Sequence, residues 1–215
     1  MNRKVLITGA SRGIGREIAS SFAEKKDELF LTCINNIDEL TKFGKELEQE
    51  HGIACHAYKC DAGDYDEVKE LFQKIKDIDI VVNNAGVAWL GLLTDMEKED
   101  WNRLMATNLD SLFYTSKFAV PIMVKKHSGK IINISSRLGT KPTELHSAYC
   151  PCEAATIMLT KVCALELSKY NIKVNTVSPS ITLTPLIIDY YSKEENKNEL
   201  KEMESRNPSK RLGTP

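Results

Sequence analysis

The sequence lacks the features that mark several large classes of protein. No apolar run approaches the roughly 20 residues needed to span a bilayer. The apolar stretch at residues 5–7 is shorter than a signal-peptide core, which needs about 7–15 residues. The formal net charge is only −1, so charge gives no support for nucleic acid or an anionic membrane as a partner. We therefore expect a cytoplasmic protein.

The six cysteines also lack a regular spacing that would indicate a disulfide framework or a metal centre. In a cytosolic chain they are expected to be reduced and partly buried. The segment Cys150-Pro151-Cys152 invites a redox or metal interpretation. No further ligands accompany it at suitable spacing, so we predict no metal site.

Short apolar runs alternate along the chain with longer amphipathic stretches. With 215 residues, 42% of them hydrophobic, the chain suits one domain with a full core. The pattern predicts βαβ units, and hence a single doubly wound α/β domain of Rossmann type over residues 1–215, with helices on both faces of a parallel sheet. The expected strands are 5–8, 29–33, 53–60, 78–82, 130–134 and 172–177, and the expected helices 15–25, 37–51, 65–76, 98–126 and 148–170. Within the long helix we expect a bend near Asn108 and a local disruption near Pro121.

A glycine-rich loop lies between the first predicted strand and the first predicted helix. Glycines let the main chain approach a pyrophosphate, which the N-terminus of the helix then stabilises. The loop resembles the Thr-Gly-x-x-x-Gly-x-Gly motif of the short-chain dehydrogenase/reductase family. The cofactor contacts predicted here are Gly9, Ser11, Arg12, Gly13, Ile14 and Gly15.

The end of the second strand indicates which cofactor is bound. An acidic residue there would bind the ribose hydroxyls of NAD and repel a 2′-phosphate. This position holds Cys33, the neutral Asn35 follows, and Arg12 supplies a cation that can pair with the phosphate. We therefore predict NADP(H) as the cofactor in preference to NAD(H), with Asn35 among its contacts.

The resemblance to the family extends to further cofactor residues. Asp61 matches the aspartate that contacts the adenine. Asn83, Ala85 and Gly86 match the segment that lines the cofactor pocket, and Thr184 matches the threonine that contacts the nicotinamide carboxamide.

The same resemblance implies the catalytic group of a carbonyl reductase or alcohol dehydrogenase, similar to the β-ketoacyl-carrier-protein reductases. Tyr149 matches the proton donor, Ser136 the serine that binds the substrate carbonyl, and Asn108 the asparagine of a water-linked proton path. Hydride transfer with a small-molecule carbonyl or acyl substrate is the implied reaction.

The family's lysine, four residues after the tyrosine, is Glu153 in this chain. Residues i and i+4 share a helix face, so a carboxylate beside Tyr149 would disfavour tyrosinate by several kcal/mol. We expect turnover to be impaired. The alternatives are an NADP(H)-binding pseudoenzyme or regulatory protein, and an inactive truncated product.

The C-terminal part of the sequence departs from the family in a second way. Residues 185–207 are expected to form a helical flap over the substrate. The family's last helix and edge strand are expected to be absent, either because the sequence is truncated or because the protein has lost them. If the C-terminus is complete, a homo-oligomer is expected.

Overall fold

The computed structural model describes residues 2–191 and 197–215, and its centre is a six-stranded, all-parallel sheet. The strand order is β3-β2-β1-β4-β5-β6. This architecture confirms the Rossmann-type α/β fold predicted from the sequence. The strands are β1 Lys4–Ile7, β2 Glu28–Cys33, β3 Cys55–Lys59, β4 Ile80–Asn83, β5 Gly129–Ile134 and β6 Ile172–Val177.

Helices cover both faces of the sheet. They are α1 Gly13–Glu24, α2 Ile37–His51, α3 Tyr65–Lys74, α4 Lys98–Met105, α5 Ser111–Lys126, α6 Tyr149–Leu167, α7 Pro185–Tyr191 and α8 Lys197–Arg206. Successive side chains of a strand point to opposite faces of the sheet, so neighbouring residues of β1 contact different helix layers. Val5 and Ile7 pack with α1 and α2, whereas Leu6 packs with α3 and α5. The central strands β1, β2 and β4 are therefore buried on both faces, as their continuous apolar runs indicate.

The sheet reverses its winding between β1 and β4. The chain moves outward from β1 through β2 to β3, and then returns to pair β4 with the other side of β1. Ligands of open α/β sheets bind in the crevice at the carboxyl ends of the strands at such a switch point. The loops that follow β1 and β4 meet at this position.

Two irregularities were predicted in the long helical stretch, and they have different outcomes. Near Asn108 the helix is interrupted by a π-helical turn, Ala106–Asp110, which separates α4 from α5. At Pro121 the predicted disruption is wrong, because α5 runs through this residue. Proline has no amide hydrogen, so the carbonyl of Lys117, four residues earlier, has no helical donor. Pro121 and Lys117 both lie on the exposed face of α5, where water can hydrogen-bond to this carbonyl.

The flap predicted at 185–207 contains α7 and α8, while residues 192–196 lie outside the described residues. The last residues return towards the sheet, where Gly213 pairs with Thr182. Within the described residues, no helix is both long and apolar enough to cross a membrane.

Candidate active site

The glycine loop forms a narrow cradle at the carboxyl end of β1. Gly9 and Gly13 have φ values of +66° and +58°, a region that favours glycine. A Cβ built on Gly9 would lie 2.9 Å from the Cα of Ala85, and one on Gly15 would lie 2.4 Å from the carbonyl oxygen of Gly9. The first turn of α1 has no side-chain cap, so its amide groups stay available to an anion. The loop therefore fits the pyrophosphate of a dinucleotide.

Side chains from two loops hold this cradle in shape. The Asn84 side chain donates from Nδ2 to the carbonyl oxygens of Thr8 and Gly9, each at 3.0 Å. The Thr8 hydroxyl accepts from the backbone amides of Asn84 and Ala85, also at 3.0 Å. Sequence reasoning missed Asn84 as a loop-positioning residue, although it stands inside the Asn83-Asn84-Ala85-Gly86 motif.

The segment after β6 closes the cradle from the other side. A Cβ on Gly13 would come within 3.3 Å of Thr184, which places Thr184 directly against the loop. The Thr184 hydroxyl accepts from the backbone amide of Ile187, at 3.4 Å, at the start of α7. Its predicted contact with the nicotinamide stays a prediction.

The predicted residues for the adenosine end lie in the loops after β1, β2 and β3. Arg12 is exposed immediately before α1, and Asn35 is exposed after β2. Cys33, by contrast, is buried. Asp61 is held by an ion pair with Arg103, 2.6 Å between Nη1 and Oδ2, and accepts from the Gly63 amide. Arg103 lies near the end of α4, and no motif in the sequence singles it out.

The Asn83 side chain makes its hydrogen bonds to other buried side chains of the protein. Its Nδ2 donates to Asn133 at 2.8 Å, and its Oδ1 accepts from Thr115 at 2.7 Å. Gly86 lies next to Asn108, at 3.8 Å from a built Cβ to the side-chain amide. The contacts predicted between these residues and the cofactor stay predictions.

The π-helical turn positions Asn108 against the loop after β4. Its side chain accepts from the Val87 amide and donates to the Val87 carbonyl, each at 2.9 Å. The same Nδ2 lies 3.4 Å from Oε1 of Glu153. Asn108 thus joins the loop after β4 to the first turn of α6.

Tyr149 and Ser136 come together at the carboxyl end of β5. Ser136 follows β5, and Tyr149 is the first residue of α6. The Tyr149 side chain packs against the buried cluster formed by Leu104, Ala148 and Cys152. Its hydroxyl is close enough to Ser136 and Glu153 for both side chains to shift its pKa. The structure therefore brings together the four predicted residues Asn108, Ser136, Tyr149 and Glu153.

Glu153 is a buried carboxyl group, with only 4% of the residue exposed. Its Oε1 accepts from Asn108, but Oε2 has no hydrogen-bond partner within the described residues. Ser135 Oγ donates to the main-chain carbonyl of Glu153 at 3.2 Å rather than to its carboxyl group. On the other side, Gly139 packs against the Glu153 backbone, where a Cβ would come within 2.8 Å.

This arrangement makes Tyr149 a weak acid. Burial, followed by the charge of Glu153, raises the Tyr149 pKa well above its ordinary value, while Ser136 partly opposes the shift. Burial also raises the pKa of Glu153 above its ordinary value, and the nearby polar side chains of Ser135, Asn108 and Tyr149 only partly oppose this shift. Both groups therefore favour their neutral, protonated forms.

Replacing Glu153 by glutamine should stabilise the fold increasingly as the pH rises. A folded-state pKa above the unfolded value of about 4.5 gives stability at low pH that is lost as the pH rises through the folded value. Glutamine cannot ionise, so the difference in unfolding free energy should grow by up to about 1.4 kcal/mol per pH unit across that range. Urea unfolding of the wild-type protein and of Glu153→Gln at a series of pH values measures this difference in unfolding free energy. A constant difference would contradict a raised pKa at Glu153.

A cavity of about 480 Å³ lies next to the start of α6. It is lined by residues 91–93 after β4, by the loop 142–147 before α6, and by Cys150 and Pro151. The two loops are tied together where the Gly91 amide donates to the carbonyl of Leu145, at 3.1 Å. Leu145 has a φ of +63°, which is rare for a side chain of its size. The exposed apolar side chains Leu92 and Leu93 make this face suitable for an apolar ligand.

Comparison with known proteins agrees with this geometry. Residues 3–195 match the family model described as short chain dehydrogenase. The chain is 33% identical over 190 residues to a 3-oxoacyl-[acyl-carrier-protein] reductase from Staphylococcus epidermidis, covering 86% of this chain and 78% of the relative.

Two solved structures show the same architecture. L-sorbose reductase from Gluconobacter frateurii, complexed with NADPH and L-sorbose, has a TM-score of 0.93 at 26% identity, covering 100% of this chain and 85% of that one. A short-chain dehydrogenase from Sphingobium yanoikuyae in complex with NADPH has a TM-score of 0.80 at 31% identity, covering 85% of this chain and 72% of that one.

Proposed function

The chain belongs to the short-chain dehydrogenase/reductase family, and on that premise we propose that it is an NADP(H)-linked carbonyl reductase whose turnover is slowed by Glu153. The observation that carries this proposal is the joint presence of a glycine cradle and of Tyr149 beside a buried carboxyl group. Residues 1–215 would form one cofactor-binding domain, with 185–207 as the substrate flap.

The residues present fit the pyrophosphate and the adenosine end of the cofactor. The cradle of Gly9, Gly13 and Gly15 would hold the pyrophosphate. Arg12, which is exposed before α1, and Asp61, which follows β3, would contact the adenosine end. When bound, the nicotinamide supplies the hydride or accepts it. The NADPH complexes of the two similar structures support the choice of NADP(H).

The side chains of this protein would handle the proton and the substrate oxygen. Ser136 would donate a hydrogen bond to the substrate carbonyl, and Tyr149 would give the same oxygen its proton. A proton donor works best when its pKa lies near the working pH, whereas the Tyr149 pKa is raised. Turnover should therefore be slow even when cofactor and substrate are bound.

The substrate class follows from similarity and from the cavity next to the start of α6. The similar Staphylococcus epidermidis protein is named as a 3-oxoacyl reductase. The exposed leucines at residues 92 and 93 could receive an acyl chain. We propose 3-oxoacyl thioesters ahead of simple ketones and sugars.

A second candidate function is NADP(H) binding without turnover, and the buried carboxyl group of Glu153 favours it. Titration of the protein with NADPH, followed by fluorescence, and then addition of a panel of ketones and thioesters distinguishes a slow reductase from a protein that only binds NADP(H). Binding with slow oxidation supports a reductase, and binding without oxidation supports a binding protein. Absence of binding contradicts both.

Replacing Arg12 by alanine should weaken NADPH binding by about 10- to 100-fold and NADH binding by less than about threefold. The reason is that a charge-assisted hydrogen bond to the 2′-phosphate contributes about 1.5–3 kcal/mol. Lys25→Ala, at the exposed opposite end of α1, is the control for loss of one positive charge. Fluorescence titration with both cofactors measures the effect. Equal losses for NADPH and NADH would contradict a phosphate contact by Arg12.

A further inference from the structure

The carboxyl group of Glu153 occupies a place that suits a neutral acid better than an anion. The residue is 4% exposed, and only one of its two carboxyl oxygens has a hydrogen-bond donor within the described residues. A buried carboxylate needs donors at both oxygens, whereas a protonated carboxyl group can itself donate a hydrogen bond. Tyr149, one turn earlier on the same helix, is the neighbouring hydroxyl group.

The other ionisable groups around Glu153 do not supply a compensating cation. Tyr149 and Cys152 lie on α6 itself, and both are held in their protonated forms chiefly by burial. The π-helical turn contributes Asp110, which is acidic. The turn after β5 contributes Arg137, whose side chain is exposed, and the described residues contain no ion pair to Glu153.

We propose that Glu153 is the proton source for Tyr149, so that this chain reduces carbonyl groups only while the carboxyl group of Glu153 is protonated. The proposal rests on the proposed reductase function and says how that function would depend on pH. It gives Glu153 a role in proton supply at a position where a cation would instead make Tyr149 more acidic.

The proton steps balance without a further reactant. The Oη–H bond of Tyr149 breaks as an O–H bond forms on the substrate oxygen. The carboxyl O–H bond of Glu153 then breaks as the Oη–H bond of Tyr149 forms again, and water returns a proton to the carboxylate. The second transfer is favourable, because a carboxylic acid is a far stronger acid than a phenol whose pKa is raised.

The arrangement also gives the reaction a direction. Oxidation of an alcohol would need Tyr149 to act as a base, and burial together with a neighbouring carboxyl group opposes tyrosinate. Reduction needs only the protonated form of both groups. We therefore expect reduction at low pH and little alcohol oxidation at any pH.

The test compares the pH dependence of the wild-type protein with that of Glu153→Gln, a matched variant that keeps the shape and the contact with Asn108 but carries no titratable proton. With saturating NADPH, the wild-type kcat should be level at low pH and fall about tenfold per pH unit above one apparent pKa. The glutamine variant should lack this fall and should be at least about tenfold slower on the acid side.

A second readout does not depend on turnover. The infrared carbonyl stretch of a protonated carboxyl group, followed without cofactor, should disappear with the same midpoint as kcat and should be missing from the spectrum of Glu153→Gln. Tyr149→Phe should lose turnover but keep this band. Parallel pH profiles of the wild type and Glu153→Gln would overturn the proposal, as would a band midpoint that differs from that of kcat.

Failure of this inference can be told apart from failure of the proposed function. NADPH binding with no turnover at any pH overturns proton supply by Glu153 but leaves the cofactor site in place. Absence of NADPH binding to the folded protein overturns the proposed function, and the inference with it.

Discussion

Replacing Glu153 by lysine should raise the kcat for carbonyl reduction about 100-fold, with each protein compared at its own optimal pH. An ammonium group about 5 Å from the Tyr149 oxygen stabilises tyrosinate by roughly 3 kcal/mol at an effective dielectric near 20. Because 1.4 kcal/mol corresponds to a factor of ten in rate, this interaction accounts for about two orders of magnitude. Steady-state NADPH oxidation with saturating cofactor and ketone measures the change.

The matched control for this prediction is Glu153→Gln, which removes the carboxyl proton without adding a cation. We expect no gain in kcat from the glutamine variant. An equal gain from glutamine and lysine would show that the carboxylate charge, and not the missing ammonium, limits the rate. Thermal unfolding of both variants checks that the lysine is accommodated, since residue 153 packs against Gly139.

Replacing Gly9 by alanine should remove most cofactor binding and destabilise the protein by about 3 kcal/mol. The positive φ at Gly9 costs a side chain about 1–2 kcal/mol, and the overlap with the Ala85 backbone costs about 1–3 kcal/mol more. The loop must shift to relieve the overlap, and the amides that face the pyrophosphate shift with it. We expect the Kd for NADPH to rise at least about tenfold, as measured by fluorescence titration alongside urea unfolding.

Gly52→Ala is the matched control for this loop prediction. Gly52 has the same φ of +66°, but a Cβ there would meet nothing within 4 Å. The substitution should therefore lower the unfolding free energy only by the cost of a side chain at positive φ, about 1–2 kcal/mol, and leave cofactor binding unchanged. Equal effects on binding at both positions would contradict the close approach of Gly9 to Ala85 as the cause.

The parts of the fold that depend on local pattern were predicted well from the sequence. The helix at 37–51 and the strand at 172–177 have the predicted bounds, because apolar periodicity decides both. A π-helical turn interrupts the helix near Asn108, where a bend was expected, whereas the disruption expected at Pro121 is wrong because this residue lies on the exposed face of α5.

The parts of the site that depend on long-range contacts could not be predicted in the same way. Asn84 supports Gly9 across a sequence separation of 75 residues, and Arg103 reaches Asp61 across 42. No local pattern records such pairs, since they arise only when parallel strands bring their carboxyl ends together. The sequence shows that a glutamate stands at the position of the family's lysine. That Oε2 of this glutamate has no hydrogen-bond donor within the described residues depends on side-chain packing and could not be predicted from the sequence.

We propose that the cofactor cradle is intact, while Tyr149 lacks the neighbouring cation that would make it an effective proton donor. The most direct measurement is made in parallel on the wild-type protein and on Glu153→Lys. Bound NADPH is first quantified by fluorescence, and its oxidation by a saturating ketone is then followed in one turnover. We expect saturable binding to the wild-type protein with an oxidation rate about 100-fold below that of Glu153→Lys at equal cofactor occupancy. Equal single-turnover rates for the two proteins would contradict it.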